Sequence, residues 1–261
     1  MPTSALHVAR TGLEAQDTRM RVIANNLANI GTTGFKRDRA NFSTLAYQDA
    51  RVAGQQSSSE STYATGLNLG TGVNIQSTTQ IVTQGTLNTT GNALDLALDG
   101  DGYFQVALPG GRLAYTRAGN FSRSAEGNLV TAQGYAVQPP ITEPEGATAI
   151  TVAGDGTVSA TSAEGGEAQL GQITTASFVN AAGLQSLGDN FLGETAASGQ
   201  AQIGSAGTAG RGNIRQGMLE ASNVNVVEEL VDMIECQRAY EINSKMISAV
   251  DEMLRNANQT L

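Results

Sequence analysis

Few residues of this sequence could carry out catalysis or bind a metal. His7 is the single histidine, and no cysteine or second histidine lies within helical reach of it. A zinc site needs several His or Cys ligands, and a catalytic triad needs a histidine beside a nucleophile and an acid. Cys236 is the single cysteine, so it cannot form an internal disulfide, and we expect it to be a small core residue of a helix. These residues predict neither a zinc centre nor a triad.

The densest group of carboxylates consists of Asp95, Asp99 and Asp101, which surround two glycines. The spacing of a calcium loop fails here, because Ala97 stands at the third position counted from Asp95 and Tyr103 at the fifth position counted from Asp99. We therefore interpret the three carboxylates as turn residues and predict no metal and no cofactor.

An enzyme that acts on polysaccharides with paired carboxylates is an alternative. Such an enzyme would need aromatic platforms for sugar rings, for which Tyr103, Phe104 and Tyr115 are candidates. The sequence has no G-x-S-x-G motif and no phosphate-binding Walker loop. Activity that survives removal of both chain ends would identify an enzyme of this kind.

Composition and charge narrow the class of protein. The chain of 261 residues carries a net charge of −9, and its only lysines are Lys36 and Lys245. Without a basic stripe, neither nucleic-acid binding nor a polybasic membrane anchor is supported. The hydrophobic fraction of 40% permits real cores, and 31 glycines with 5% aromatic residues suit short strands and turns.

The sequence has no apolar stretch of membrane-spanning length and no apolar core of a secretory signal near its start. By default this predicts a cytoplasmic protein. That expectation fails if export uses a route that reads an uncleaved, unstructured N-terminus.

The elements that would position any site begin with a long helix near the C-terminus. Apolar or aromatic residues recur there in steps of seven, with further apolar residues at the half-steps: Val226, Met233, Tyr240, Ile247, Leu254 and Leu261, then Leu230, Cys236, Val250 and Ala257. Asn225 followed by Glu228 predicts a capped start near Val226. The 35 residues 226–260 would reach about 52 Å at ~1.5 Å per residue. Because a helix of this length is longer than a small domain, part of its apolar stripe must be covered by residues outside its own domain.

A second amphipathic helix is predicted from Ser4 to Ala28. Its apolar residues also recur in steps of seven, with an offset set between them: Leu6, Leu13, Met20 and Leu27, then Ala9, Ile23 and Ile30. The segment 25–36 ends this helix, because its asparagines and glycines tolerate left-handed backbone and bond to freed carbonyls. We expect the two terminal helices to pair.

The middle of the chain has the composition of short strands and turns. Residues 46–66 have little apolar content and predict a long loop that moves or contacts a partner. Gly199 to Gly212 predicts a second flexible passage. Between them, alternating runs predict strands at 94–98, 102–108, 112–116, 120–123, 128–131, 135–138, 150–152, 157–159 and 171–179.

The predicted fold class is α+β. The N- and C-terminal helices pair as a coiled-coil-like unit and enclose an extended β-rich connector and a mainly antiparallel β domain. The expected divisions are an N-terminal helix (1–35), a connector (36–90), an outer β domain (91–198), a return connector (199–224) and a C-terminal helix (225–261).

Two stretches resemble the signatures of bacterial flagellar basal-body rod and hook proteins. The first is Asn25-Asn26-Leu27-Ala28-Asn29 followed by Thr33-Gly34-Phe35-Lys36, and the second runs from Glu220 to Ile234 and from Gln237 to Lys245. The likeness continues through 102–106 and 115–121, so it covers nearly the whole chain. In length and in the insertion at 46–66 the chain is similar to distal rod members, whereas hook members are usually longer and proximal rod members mostly shorter.

The resemblance implies a structural polymer subunit and not an enzyme. It implies a hollow, rigid distal rod that crosses the periplasm and transmits torque to the hook, built from subunits exported by the flagellar type III apparatus. The implied partners are further copies of the chain, proximal rod and hook proteins or a hook junction, and the peptidoglycan and outer-membrane ring proteins as a bushing. A hook or proximal rod subunit is the alternative within the family.

The resemblance also implies which residues matter for assembly. The signature residues expected to act in assembly are Asn25, Asn26, Leu27, Asn29, Gly34, Phe35, Lys36, Asn223, Asn225, Glu229, Arg238, Tyr240 and Asn243. The residues expected to pack the inner helices are Leu6, Leu13, Met20, Ile23, Leu27, Val226, Leu230, Met233, Tyr240, Ile247 and Leu254.

Overall fold

The structure is a computed structural model that describes residues 2–56, 62–144, 147–162 and 166–259. Its elements, in chain order, are α1 (Pro2–Ala28), β1 (Asp38–Thr44), β2 (Tyr47–Arg51), β3 (Leu67–Gly70), β4 (Val73–Gln80), β5 (Leu87–Thr89), β6 (Leu96–Asp99), β7 (Tyr103–Ala107), β8 (Leu113–Thr116), β9 (Ser122–Arg123), β10 (Leu129–Val130), β11 (Val137–Gln138), β12 (Ala147–Val152), β13 (Thr157–Ser162), β14 (Glu167–Gln172), β15 (Thr174–Ser177), a 3-10 helix (Ala181–Gly183), β16 (Gln185–Gly188), β17 (Phe191–Gly193), β18 (Gln202–Ser205), β19 (Asn213–Gln216), β20 (Met218–Glu220) and α2 (Val226–Gln259).

The chain divides into two compact units. Unit 1 consists of Met1–Leu27, Asp38–Thr79 and Asn225–Leu261, and unit 2 consists of Ala28–Arg37 and Gln80–Val224. The α+β class is confirmed at the level of two terminal helices and a mainly antiparallel β body. Within the described residues, neither helix has a stretch that is apolar enough to cross a bilayer.

In unit 1 the start of α2 lies where the sequence predicts it. The N–H of Val227 donates to Oδ1 of Asn225 at 3.1 Å, so Asn225 satisfies one of the free donors of the first turn. The predicted N-cap is confirmed. Thr260 and Leu261, which the sequence analysis placed in the same helix, lie outside the described residues.

The predicted loop at 46–66 is wrong for its first part, because residues 47–51 form a strand. This strand, β2, pairs antiparallel with β3, and the guanidinium of Arg51 lies 4.0 Å from the centre of the Tyr63 ring. Nearly every residue of both strands is exposed, so the alternation of apolar and polar residues that signals a half-buried strand is missing. Residues 57–61 of the predicted loop lie outside the described residues.

Unit 2 is built around a seven-stranded sheet. Its strand order is β16-β17-β8-β7-β15-β18, with β11 paired to β7, and neighbouring strands in this order run antiparallel. The sheet β12-β13-β14 and the pairs β19-β6, β20-β5 and β10-β9 complete the unit. Its main core consists of buried apolar residues from these strands and the turns between them: Leu96, Leu98, Phe104, Phe121, Val137, Ile141, Val152, Val158, Ile173, Ala206 and Ile214.

The second predicted flexible passage, 199–212, is also wrong in part. Residues 202–205 form β18, which pairs antiparallel with β15 in the seven-stranded sheet. Backbone hydrogen bonds hold this edge strand, and Ile203 keeps 54% of its surface exposed. A strand held by its backbone needs no apolar alternation, so its Gly- and Ala-rich sequence does not reveal it.

Candidate functional site

The residues considered for catalysis do not form an active site. Asp95 accepts hydrogen bonds from the side chains of Thr90 and Asn92, and Asp99 pairs with Arg215 at 3.0 Å, so both carboxylates serve the local structure. Within the described residues, no cluster of three or more His, Cys, Asp or Glu side chains could hold a metal. The three candidate sugar platforms, Tyr103, Phe104 and Tyr115, are all buried. The polysaccharide-acting alternative therefore loses its binding surface.

The asparagine-rich signature contributes a buried contact to unit 1 through Asn26. Its side chain pairs with both backbone groups of Asp38: the N–H of Asp38 donates to Oδ1, and Nδ2 donates to the carbonyl oxygen, each at 2.9 Å. Nδ2 also lies 3.2 and 3.3 Å from the carboxylate oxygens of Glu229. Asn26 thus joins the end of α1, the start of β1 and the first turn of α2. Burial raises the pKa of the Asp38 carboxyl above its usual range.

The same signature contributes a buried charge to unit 2 through Lys36. Lys36 is 3% exposed, Glu220 is 1% exposed and Arg117 is 6% exposed. The ammonium of Lys36 forms an ion pair with Oε1 of Glu220 and donates to the carbonyl oxygen of Thr83 at 2.8 Å. Nη1 of Arg117 lies 3.2 Å from Oε2 of the same carboxylate. One buried carboxylate therefore serves two buried cations.

Most of the remaining hydrogen-bonding groups of this ion cluster have partners among the surrounding residues. The N–H of Gly85 donates to Oε1 of Glu220 at 2.9 Å, and Nη2 of Arg117 donates to the carbonyl oxygen of Gly100 at 2.8 Å. The guanidinium carbon of Arg117 lies 5.4 Å from the centre of the Tyr103 ring. Burial lowers the pKa of Lys36 below its usual range, and the pairing with Glu220 opposes this effect.

Asn223 in the second signature makes a polar contact of the same kind as Asn26. Its Oδ1 accepts from the N–H of Arg37 at 2.8 Å, while its Nδ2 donates to the carbonyl oxygens of Ile81 at 2.8 Å and Thr83 at 3.1 Å. The N–H of Ile81 in turn donates to the carbonyl oxygen of Arg37 at 2.8 Å. In unit 2 the two signatures therefore meet, although they are far apart in the sequence.

Gly34 permits the close approach that this meeting requires. Its φ of +68° lies in the left-handed region, and a Cβ at this position would come within 2.6 Å of the backbone carbon of Arg117. Its N–H donates to the carbonyl oxygen of Glu220 at 2.7 Å, and the next residue, Phe35, is buried. A residue with a Cβ would clash with the backbone of Arg117, which explains the glycine at position 34.

The other signature residues are exposed or half-buried. In α1 and the turn after it, Asn25 is exposed and Leu27 is half-buried, while Asn29 accepts from the hydroxyl of Thr32. In α2, Arg238 and Tyr240 are exposed and Asn243 is half-buried.

The residues expected to pack the inner helices differ in exposure. Ile23 is buried; Leu6, Leu13, Met20, Leu27, Met233, Ile247 and Leu254 are half-buried; Val226, Leu230 and Tyr240 are exposed. Among the side chains of α2 whose placement the structure describes, the buried ones are instead Glu229, Cys236 and Val250. Sγ of Cys236 lies 3.1 Å from the carbonyl oxygen of Gln16, which confirms its prediction as a core residue.

Sequence reasoning did not single out Arg117 or Glu220 as site residues. The two are 103 positions apart, and an ion pair between distant segments has no periodicity that a sequence displays. The only available signal was Lys36, since a lysine next to Phe35 and a turn glycine needs an anion if it is buried.

Three family models match the chain in these regions. "Flagella basal body rod protein" matches residues 6–36, "Flagellar hook protein FlgE/F/G D1 domain" matches 97–160, and "Flagellar basal body rod FlgEFG protein C-terminal" matches 215–260. Relatives named as flagellar basal-body rod proteins match 96% to 98% of the chain at 37% to 49% identity. The chain belongs to the flagellar basal-body rod proteins. Lys36, Arg117 and Glu220 each lie in a different matched region of this rod protein.

Relatives named as rod proteins match over nearly the full length. The rod protein FlgG of Buchnera aphidicola (strain APS) is 49% identical, with 98% of each chain covered, and that of Caulobacter vibrioides is 47% identical, with 98% of each chain covered. The FlgG of Bacillus subtilis is 37% identical over 96% of each chain. A protein named FlgF of Caulobacter vibrioides is 34% identical and covers 99% of this chain.

Proposed function

We propose that this protein is a structural, non-enzymatic subunit of the distal rod in the bacterial flagellar basal body. Family membership and the full-length relatives named FlgG support this function. The observation that carries the proposal is an exposed apolar face on α2, because it supplies a surface for self-assembly.

That face of α2 is a stripe of large apolar side chains. They recur at helical spacing and each keeps at least 43% of its surface exposed: Val227, Leu230, Val231, Ile234, Ile242, Met246 and Met253. Full burial of one such side chain is worth about 1.5 to 3 kcal/mol. A group of this many exposed apolar side chains on one face of a helix favours a protein interaction site. Further copies of the same chain are the proposed occupants.

We propose that α1 and α2 pair as a coiled-coil-like inner unit of the rod. Within unit 1, the guanidinium of Arg19 lies 2.9 Å from the carboxylate of Asp232, and Cys236 contacts Gln16. Residues 1–27 and 225–261 would form this inner unit together with the connector residues 38–79. The outer β domain predicted at 91–198 would include 199–224 as well, because β18 and β19 pair with β15 and β6.

The polymer is proposed to be an open helical tube. A contact that joins two different surfaces of a subunit and does not close on itself generates a filament. In the flagellum this tube would be a rigid hollow shaft that crosses the periplasm and transmits torque to the hook. Its proposed partners are proximal rod and hook proteins or a hook junction, the peptidoglycan and outer-membrane rings, and the type III export apparatus.

Replacing Ile242 by glutamate tests the assembly surface. Ile242 is 62% exposed, so the substitution is expected to leave the unfolding of the isolated subunit unchanged within about 0.5 kcal/mol. Placing a charge in the contact is expected to raise the critical concentration for polymerisation at least about tenfold, which corresponds to about 1.4 kcal/mol. Sedimentation of purified protein and electron microscopy of the pellet measure this change.

The matched control is Gln237→Glu, which adds the same charge at an exposed polar position of α2. It is expected to polymerise nearly as well as the wild type. If Ile242→Glu forms the same polymers at the same concentration, the apolar face of α2 is not the assembly surface.

We also propose that the β2–β3 hairpin contacts a neighbouring subunit and stiffens the shaft. The apolar side chains Tyr47, Leu67 and Leu69 of the hairpin are 47 to 60% exposed, as expected of a surface that a partner covers. The proposal applies to the region 46–66 that resembles the insertion of distal rod members.

Excision of residues 47–70 tests the stiffening role. The ends to be joined, Ala46 and Thr71, are already adjacent. The hydroxyl of Thr71 donates to the carbonyl oxygen of Ala46, and the N–H of Leu45 donates to the carbonyl oxygen of Gly72 at 3.0 Å. The shortened chain is therefore expected to fold and to be exported normally, but to form curved or flexible polymers. Electron microscopy of isolated basal bodies measures curvature, and straight rods of normal stiffness would refute the proposed role.

A hook or proximal rod subunit is the second candidate within the family. The relatives named FlgG are 37% to 49% identical and the relative named FlgF is 34% identical, so the comparisons favour the distal rod over this alternative. The position of the protein in isolated basal bodies, determined by labelling, separates these possibilities from a distal rod subunit.

A further inference from the structure

Three segments of unit 2 meet at the buried ion cluster, and we name this meeting the junction. It consists of residues 34–37, 81–86 and 220–223. The chain crosses between the two units four times: before Ala28, after Arg37, before Gln80 and after Val224. Each junction segment has one end within two residues of one of the last three crossings.

Hydrogen bonds connect all three segments of the junction pairwise. Backbone bonds run from Gly34 to Glu220 at 2.7 Å, from Ile81 to Arg37 at 2.8 Å and from Ala221 to Thr86 at 2.8 Å. Asn223 adds side-chain bonds to the other two segments. Pairing of this kind fixes the spacing of the three segments without an apolar core of their own.

Lys36 also contacts both other segments, and it does so with a side chain that is only 3% exposed. Its ammonium pairs with Glu220 in one segment and donates to Thr83 in the other. A buried ammonium without acceptors is costly, so its full set of partners is available only when the three segments are together. Lys36 therefore favours one arrangement of the junction over looser ones.

We propose that Lys36 is a positioning residue for assembly, because it fixes the spacing of three segments that adjoin three of the four points at which the chain enters or leaves unit 2. The inference rests on the proposed function, since it concerns the polymerisation of the subunit. A subunit with a loosened junction is expected to fold but to assemble poorly, because the terminal segments that follow the junction are then held less firmly.

The charges of the cluster indicate which substitution isolates this role. With two cations and one carboxylate, the cluster has one excess positive charge, so Lys36→Met leaves the pair of Arg117 and Glu220 intact. Methionine also retains most of the aliphatic length of lysine. Asn223→Ala is a second variant that removes junction bonds without touching the buried charges.

The experiment compares these variants with Val158→Ala, a core substitution in β13 whose residue belongs to none of the junction segments. All proteins are studied at a temperature at which circular dichroism shows them folded. Lys36→Met and Asn223→Ala are expected to raise the critical concentration for polymerisation at least tenfold above that of Val158→Ala. Hydrogen exchange is expected to accelerate in Lys36→Met at the amides of Arg37, Ile81 and Asn223, and to stay slow there in Val158→Ala.

The inference is overturned if both junction variants polymerise at the same concentration as Val158→Ala. It is also overturned if Lys36→Met leaves the exchange of the three junction amides unchanged. A different result, in which neither the wild type nor Val158→Ala polymerises, contradicts the proposed function. The exchange measurement then decides separately whether Lys36 holds the junction together.

Discussion

Substitution of Glu220 by alanine is expected to lower the free energy of unfolding of unit 2 by about 3 to 5 kcal/mol. Removing this carboxylate leaves Lys36 and Arg117 buried with no anion between them, and it leaves the N–H of Gly85 without its acceptor. Neither cation can reach water in the folded unit, since their side chains are only 3% and 5% exposed. Urea-induced unfolding followed by β-sheet circular dichroism measures the loss.

The matched control for this prediction is Asp99→Ala. Asp99 pairs with Arg215 at 3.0 Å, but the two side chains are 42% and 56% exposed, so water replaces the lost partner. A cost below about 1 kcal/mol is expected for an exposed pair of this kind. If the two variants lost similar amounts of stability, the carboxylate of Glu220 would not be holding buried charges, and the account of the cluster would be wrong.

The second large effect is expected from Gly119→Ala, at a cost of about 3 kcal/mol, the upper end of the range typical of overpacking. A Cβ at this position would overlap the carbonyl oxygen of Leu96 and lie 2.7 Å from its carbonyl carbon. The contact cannot open easily, because Leu96 is fully buried and its N–H donates to the carbonyl oxygen of Gly119 at 3.0 Å. The urea midpoint and the yield of soluble protein measure this effect.

Gly154→Ala serves as the control for the backbone contact. At Gly154 the nearest atom to a new Cβ is the carbonyl oxygen of Ile214 at 3.8 Å, an ordinary van der Waals distance. The change is expected to alter stability by less than about 1 kcal/mol. A variant of Gly119 that unfolds at the wild-type urea concentration would show that this part of unit 2 relaxes more easily than its packing indicates.

Local patterns in the sequence were sufficient for the helices and for part of the β body. The heptad spacing and the Asn225 cap predicted α2 to begin at the residue where it begins, and alternating runs predicted β6, β7 and β8. The resemblance of the two signatures to rod and hook proteins predicted the family that the comparisons show. These features depend on residues that are close together in the sequence.

Three of the strands that the sequence did not predict, β2, β3 and β18, lack this local signal. The hairpin of β2 and β3 is exposed on both faces, and β18 is held at a sheet edge by backbone bonds. Neither needs the apolar alternation by which a half-buried strand is recognised. Their positions became evident only from the strands with which they pair.

The sequence by itself determined the terminal helices, the β-rich middle and the family, because periodicity, capping and signature residues are local properties. Only the tertiary structure decided that Lys36, Arg117 and Glu220 share one buried site, that Asn26 binds the backbone of Asp38, and that Asn223 binds the backbone of a distant segment. Buried charges and amides are paired wherever the fold brings suitable partners together, since leaving them unpaired is costly. Which groups pair depends on which segments the fold brings close together, and the spacing of residues in the sequence does not show this.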